Sequence, residues 1–331
     1  MSKRIVVRGP MLDSIEVVDE PLPSVGPDQV RIRVKAAGVA FGDVFRRKLS
    51  RRPYTPGYDV VGDVDAVGEG VEKTWIGKRV ACFMPKPGYG GYAEHVVVGK
   101  EHVVAMPADL DPVRGVCLGL NYITAYQLLT RTTKPRPGQA ILIHGAAGGV
   151  GTALLDLARL LEIKAYGTAS AGKHELVQRY GGIPIDYRSK DFVTEMRRFE
   201  PSGVACVYDP IGGSHLARSL QCLQRGGTVV SFGASGAVDQ GVAAIVKSQL
   251  RIVALKLKPD GKKVRLYGIT LSRGAKPEDC RRDWVTLVHL YREGKLDPVV
   301  GAVLPLTRAR DAHEMLEQRA VTGKIVLVPE A

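Results

Sequence analysis

His144-Gly145-Ala146-Ala147-Gly148-Gly149-Val150-Gly151 follows an apolar run at 140–143 and opens a helical pattern at 152–161. Strand, glycines, then helix is the order a dinucleotide-binding βαβ unit requires, because the helix N-terminus points its free backbone N–H groups at a pyrophosphate. In a G-x-G-x-x-G frame, Ala146 takes the tight turn, Gly148 lets backbone approach phosphate, and Gly151 lets the helix pack closely on the strand. Alanine at the first position makes the fingerprint imperfect. The flanking strand and helix decide for cofactor binding over a plain turn that only needs glycine dihedrals.

Downstream, short apolar runs alternate with helical patterns. Strand candidates at 140–143, 164–168, 183–185, 204–208, 228–232 and 250–257 are separated by helices at 152–161, 174–180, 192–199 and 214–223. Six strands in a βαβ series predict a parallel, doubly wound sheet with right-handed crossovers. Upstream, residues 1–110 read as β-rich. The strand at 29–35 alternates strictly, 59–67 and 92–98 follow, and 43–47 makes a helical turn or two before a Pro-bearing loop at 51–57. A helical pattern at 111–129 leads to a boundary turn at 134–138. After a basic stretch holding a strand candidate at 264–271, a helix at 283–292, a strand at 299–303, a helix at 309–318 and a strand at 324–328 return to complete the first domain.

NAD-binding units carry an acidic residue about 20 positions past the glycines to accept from the ribose 2′-hydroxyl. Here that region reads Gly167-Thr168-Ala169-Ser170-Ala171-Gly172-Lys173, with no Asp or Glu. A hydroxyl and an ammonium stand where a 2′-phosphate would lie, and charge-assisted hydrogen bonds of about 1.5 to 3 kcal/mol each favour NADP(H) tenfold or more. Tyr187 is a third candidate; the competing reading is that Ser170 and Lys173 merely cap and solvate the next helix.

With 331 residues, two domains are the default, and 45% hydrophobic content is that of a soluble globular protein. No apolar run approaches the roughly 18 residues of a membrane span, and the start lacks a signal-peptide core, so a cytoplasmic protein is expected. Five scattered cysteines form no C-x-x-C pair and read as buried hydrophobes. The net charge of +13 suits an anionic partner, although the short basic groups show no nucleic-acid signature and read mainly as a solvated surface.

Taken together, Val34-Lys35-Ala36-Ala37-Gly38-Val39, Pro56-Gly57-Tyr58-Asp59-Val60-Val61-Gly62, Val67-Gly68-Glu69-Gly70-Val71, Gly77-Lys78-Arg79-Val80, Leu120-Asn121-Tyr122-Ile123-Thr124-Ala125-Tyr126 and the glycine loop span the chain. In them the sequence resembles zinc-independent members of the medium-chain dehydrogenase/reductase superfamily, nearest the quinone oxidoreductases and the synaptic-vesicle-membrane-protein-like reductases. The resemblance implies an α/β protein: a GroES-like β-rich catalytic domain over 1–121, completed by 274–331, and an inserted Rossmann doubly wound parallel sheet over 122–273, with NADPH in the cleft between them. It puts Thr124 near the nicotinamide end, Gly148, Gly149, Val150 and Gly151 at the pyrophosphate, and Ser170, Lys173, Tyr187 and Arg319 around the 2′-phosphate. Asp209, Phe232, Gly233 and Ala234 then floor the nicotinamide pocket.

Zinc enzymes of this superfamily place a catalytic Cys and His at the positions aligned with Ala40 and Tyr58, and a four-cysteine lobe where this chain runs 83–91. Those ligands are missing, so no zinc is expected, and with it goes the Lewis acid for oxidising simple alcohols. What remains is hydride delivery from NADPH to a quinone or an α,β-unsaturated carbonyl. Tyr54 and Tyr58 lie in the loop from which a proton donor would come, each also readable as an aromatic packed on the cleft wall. Asp43 reads as a helix cap. Two alternatives stay open: a stand-alone enoyl reductase acting on thioesters of an acidic carrier protein, and an NADPH-binding sensor without turnover. Relatives pair through an edge strand of the nucleotide domain, which predicts a homodimer through 264–271.

Overall fold

The computed structural model describes residues 1–84, 90–233, 235–236, 252, 255, 261–269 and 277–330. The chain forms two compact units, one made of Met1–Ile123, Gly274–Gly294 and Pro298–Ala331, the other of Thr124–Arg273 and Lys295–Asp297.

The first unit begins with an antiparallel pair, β1 (Ser2–Val7) and β2 (Ile15–Glu20). β3 (Gln29–Val39) follows; its Val30, Ile32 and Val34 point inward and are essentially buried, while Arg33 and Lys35 face out. α1 (Phe41–Leu49) starts where the Asp43 carboxylate accepts from the Ala40 N–H, at 2.9 Å, satisfying one of the amides that a helix start leaves over. β4 (Asp59–Val67), β5 (Arg79–Phe83), β6 (His95–Gly99) and β7 (Val103–Ala105) complete this run.

The helical pattern over 111–129 is not one helix. α2 (Pro112–Cys117) and α3 (Leu120–Gln127) are separated at Gly119, where a Cβ would lie 2.4 Å from Asp59 Oδ2. That close approach lets Leu120 N–H donate to the same oxygen at 2.8 Å, so a buried carboxylate, rather than apolar periodicity, sets the break. Residues 128–133 then widen into a π-helical turn, with the Thr132 and Thr133 hydroxyls donating to carbonyls five residues back.

The second unit carries a six-stranded, all-parallel sheet. Its elements are β8 (Ala140–His144), α4 (Gly149–Leu160), β9 (Lys164–Ala169), α5 (His174–Arg179), β10 (Ile183–Asp186), α6 (Phe192–Phe199), β11 (Val204–Asp209), α7 (His215–Gln221), β12 (Leu223–Ser231) and β13 (Lys263–Leu266). The order is β10-β9-β8-β11-β12-β13, so the winding reverses between β8 and β11. β11 lies inside the sheet and is buried along its whole length, as its unbroken apolar run requires. The sixth strand is β13 and not 250–257. Most of 250–257 lies outside the described residues, and the two described members, Ile252 and Leu255, are helical.

The chain returns through α8 (Pro277–Arg292), β14 (Val300–Pro305), α9 (Ala309–Glu317) and β15 (Lys324–Val328). β15 pairs antiparallel with β3 and parallel with β14, giving the first unit a seven-stranded sheet ordered β14-β15-β3-β4-β5-β7, with β6 on β3. One apolar core fills it, from Ile5 and Val30 through Val60 and Val80 to Ile325 and Leu327.

Candidate cofactor-binding site

The glycine loop connects β8 to α4. The left-handed dihedral falls on Gly145 (φ 65°), one residue earlier than the sequence frame puts the tight turn. Ala146 is therefore free of that demand and is fully buried, its methyl facing Gly167 of β9, where a Cβ would come within 2.6 Å. Gly151 is required by packing, because a Cβ there would sit 2.3 Å from the Gly145 carbonyl oxygen. Gly148 is the N-cap of α4, and no side chain caps the helix. With Gly149, Val150 and Gly151 it presents first-turn N–H groups and the positive end of a three-turn dipole, which together suit a phosphate.

Ser170 follows β9 and is the N-cap of a 3₁₀ turn, Ala171–Lys173. β10 pairs with β9 so that Asp186, which precedes Tyr187, lies opposite Ala169, which precedes Ser170. Partial burial holds Lys173 below the ordinary lysine range, against the pull of Tyr187. Tyr187 is exposed. Asp186 is an acid next to this group, but its carboxylate accepts from Arg188 N–H and from Ser189 Oγ, at 2.7 Å, and both hold it below the usual range.

At the far side of the winding reversal, Asp209 ends β11. The family resemblance puts it in the floor of a nicotinamide pocket, yet its side chain is fully buried and turned into the protein. Oδ1 accepts from the amides of Ile211 and Gly212 at 2.8 and 3.0 Å; Oδ2 accepts from Ser219 Oγ at 2.7 Å and from His215 Nδ1 at 3.0 Å. Four donors hold the carboxyl at about 2 despite its burial. His144 lies behind it, its Nε2 3.2 Å from Ser219 Oγ and its Nδ1 3.1 Å from Thr168 Oγ1; burial pushes its pKa down to about 3. His144, Asp209 and His215 form the one cluster of three potential metal ligands among the described residues. Both ring nitrogens of His144, both carboxylate oxygens of Asp209 and His215 Nδ1 are already engaged in hydrogen bonds. Phe232 is half-buried and Gly233 exposed beyond β12, and Ala234 lies outside the described residues.

In the first unit, Ala40 supplies no ligand atom and Tyr58 is 8% exposed, tilted against Phe83. Its hydroxyl fills the space beside Gly42, where a Cβ would lie 2.6 Å away. The Tyr54 backbone bridges to Val7, and its hydroxyl oxygen is buried. Of the two tyrosines expected as proton donors, Tyr58 is thus packed into the fold, while Tyr54 is half-buried with its hydroxyl oxygen covered. The polar centre of this loop is a pair that sequence reading did not connect: Tyr92, fully buried, donates to Asp43 Oδ2 at 3.0 Å, while Gly57 N–H donates to Oδ1. Desolvation outweighs these donors and lifts Asp43 to about 6. Thr124 is buried in α3, and Arg319 is exposed in a left-handed turn past α9. An open hollow of about 430 Å³ lined by Asp28, Trp75 and Lys100 includes none of the expected site residues.

A GroES-like unit and a doubly wound parallel sheet with a glycine loop at its winding reversal define a class, the oxidoreductases of the medium-chain dehydrogenase/reductase type. Comparison with known proteins bears this out. Residues 26–108 match the family described as alcohol dehydrogenase GroES-like domain, and 182–327 match the one described as zinc-binding dehydrogenase. The chain is 35% identical to a synaptic vesicle membrane protein VAT-1 homolog of Rattus norvegicus, over 96% of this chain and 81% of that protein. It is 31% identical to a quinone oxidoreductase of Sus scrofa, over 94% and 92%. Among solved structures, Escherichia coli quinone oxidoreductase complexed with NADPH matches with a TM-score of 0.86 and 28% identity, over 99% of this chain and all of that one. A human VAT-1 homolog-like protein matches with a TM-score of 0.82 and 26% identity, over 100% and 98%. The chain belongs to the medium-chain dehydrogenase/reductase superfamily, in the group that holds the quinone oxidoreductases and VAT-1 proteins. Among the described residues no helix is long and apolar enough to cross a membrane.

Proposed function

We propose that the protein is an NADPH-dependent reductase that delivers hydride to a quinone or an α,β-unsaturated carbonyl without zinc. The observation that carries this reading is the uncapped N-terminus of α4 behind Gly148, together with the lack of a free acid at the end of β9. Gly148 to Gly151 would hold the pyrophosphate, Ser170, Lys173 and Tyr187 the 2′-phosphate, with Thr124 and Arg319 contributing from α3 and the turn after α9. The NADPH complex of the Escherichia coli relative supports the choice of cofactor. When bound, NADPH supplies the hydride. The chain's own contribution is orientation and exclusion of water; Tyr58 is packed, and the half-buried Tyr54 is the remaining candidate of the two for a proton donor. A zinc centre fits poorly at Ala40 and Tyr58, which offer one phenol between them, so no step runs through a metal.

A homodimer is part of the proposal: β13 is an edge of the parallel sheet, and its Leu266 is 41% exposed. We place the protein in the cytoplasm. NADPH titration followed by turnover on quinones, enones, and free and carrier-bound enoyl thioesters tests the reading. Quinone or enone turnover supports it. A preference for carrier-bound thioesters would replace it with the carrier-dependent enoyl reductase, and tight binding without turnover on any acceptor with a sensor.

A further inference from the structure

Proton counting fixes the orientation of every hydrogen bond between the glycine loop and the turn after β11. The Asp209 carboxylate is ionised and can only accept, so the single hydroxyl hydrogen of Ser219 is spent on Oδ2. Toward His144, Ser219 Oγ must therefore accept, which puts the ring hydrogen of His144 on Nε2. Burial keeps the His144 ring neutral, so Nδ1 is bare and accepts from the Thr168 hydroxyl, whose oxygen accepts in turn from Gly145 N–H at 3.3 Å. The chain runs one way, from Gly145 through Thr168, His144 and Ser219 to Asp209, and ends on the carboxylate that holds the amides of Ile211 and Gly212. None of the four side chains in it is more than 3% exposed.

The position of this chain gives it a role. β8 and β11 are the neighbouring strands between which the winding reverses, and in open α/β sheets ligands bind outside the carboxyl ends of such a pair. His144 is the last residue of β8 and Asp209 the last of β11. We infer that His144 is a positioning residue: as the Nε2–H tautomer it ties the glycine loop to the 211–212 turn and so fixes the two walls of the cofactor crevice against each other. This rests on the proposed cofactor reading only for its consequence in binding. The tautomer and the tie are properties of the ligand-free protein.

The test has two arms. In ligand-free protein, ¹⁵N NMR of the imidazoles is expected to show His144 as a neutral Nε2–H ring throughout pH 5.5 to 8, with Asp209, His215 and Arg218 the charged or titratable groups facing it. An Nδ1–H ring or an imidazolium would overturn the proposal. The second arm compares His144→Gln, whose amide N–H reaches the Nε2 position and can donate to Ser219, with His144→Asn, which reaches only the Nδ1 position. Gln is expected to keep the wild-type NADPH dissociation constant within about twofold and Asn to raise it roughly three- to tenfold, the value of one net hydrogen bond. Equal constants for the two variants would overturn the tie. Should wild-type protein not bind NADPH at all, the cofactor reading fails while the tautomer measurement still decides the relay. Stoichiometric Zn²⁺ binding abolished by His215→Ala would replace the relay with a metal centre.

Discussion

Ala146 and Gly167 meet methyl to hydrogen: a Cβ on Gly167 would fall 2.6 Å from the Ala146 Cβ, and Ala146 has no exposed surface. The alanine at the first fingerprint position is thus matched by a glycine one strand away, and the turn dihedral it would have needed is carried by Gly145. Gly167→Ala is expected to overpack this contact and cost about 1 to 3 kcal/mol in denaturant unfolding, while Ala146→Gly loosens the loop by about 1 kcal/mol. A neutral Gly167→Ala would contradict the contact.

Three buried groups contribute to the acid response between pH 6.5 and 4.5. His144 and His313 both have pKa values lowered by burial from 6.5 to about 3, and neither nitrogen of His313 has a hydrogen-bond partner among the described residues. Each histidine is neutral when folded, so the unfolded chain takes up the proton below 6.5, and each removes about 1.4 kcal/mol of stability per pH unit on acidification. Asp43 works the other way: raised to about 6, it keeps its proton when folded, and its contribution is greatest at low pH and lost as pH rises through 6. Together these three give, between pH 5.5 and 4.5, a loss of about 1.4 kcal/mol per unit as pH falls, to which the lowered His95 adds in the same direction. His313→Phe should flatten that slope in chemical-denaturation series, and Asp43→Asn should steepen it.

Lys324 and Asp59 form an ion pair at 3.5 Å with 2% and no exposure, and Asp59 Oδ2 also accepts from Leu120 N–H. Removing one partner strands the other's charge. Lys324→Met is expected to cost about 3 to 5 kcal/mol, and Asp59→Asn with Lys324→Met clearly less, since the amide oxygen of the asparagine side chain still accepts from Leu120. Additive costs in the double variant would show that the pair does not act as one.

Cofactor preference should follow the end of β9. Lys173→Ala is expected to reduce the NADPH-over-NADH ratio of kcat/KM about tenfold or more, through loss of a charge-assisted contact worth about 1.5 to 3 kcal/mol, with kcat for NADH unchanged. An unchanged ratio would leave Ser170 and Lys173 as the cap and solvating charge of the next helix.

Most of the parallel sheet was legible because its inner strands β8, β9 and β11 are apolar runs buried on both faces and its helices lie between the strands; α6 matches residue for residue. β2, β5 and β7 carried no clear alternation, since their burial depends on partners distant in sequence. The glycine loop and the missing acid were readable as local patterns. The His144 relay was not: its members lie at 144, 168, 209 and 219, and it takes the pairing of β8 with β9 and β11 and the packing of α7 to bring them together. A histidine ending an apolar strand beside a glycine loop was the one available signal. Nor does sequence tell which tyrosine of the 54–58 loop is buried; the Asp43–Tyr92 bond spans 49 residues.

The central claim is hydride transfer from NADPH to an activated acceptor, and stopped-flow oxidation of enzyme-bound NADPH by a panel of quinones and enones tests it most directly. Oxidation by at least one acceptor well above the rate in buffer is expected, with NADH roughly tenfold or more less effective. Tight NADPH binding with no acceptor above the buffer rate would contradict it.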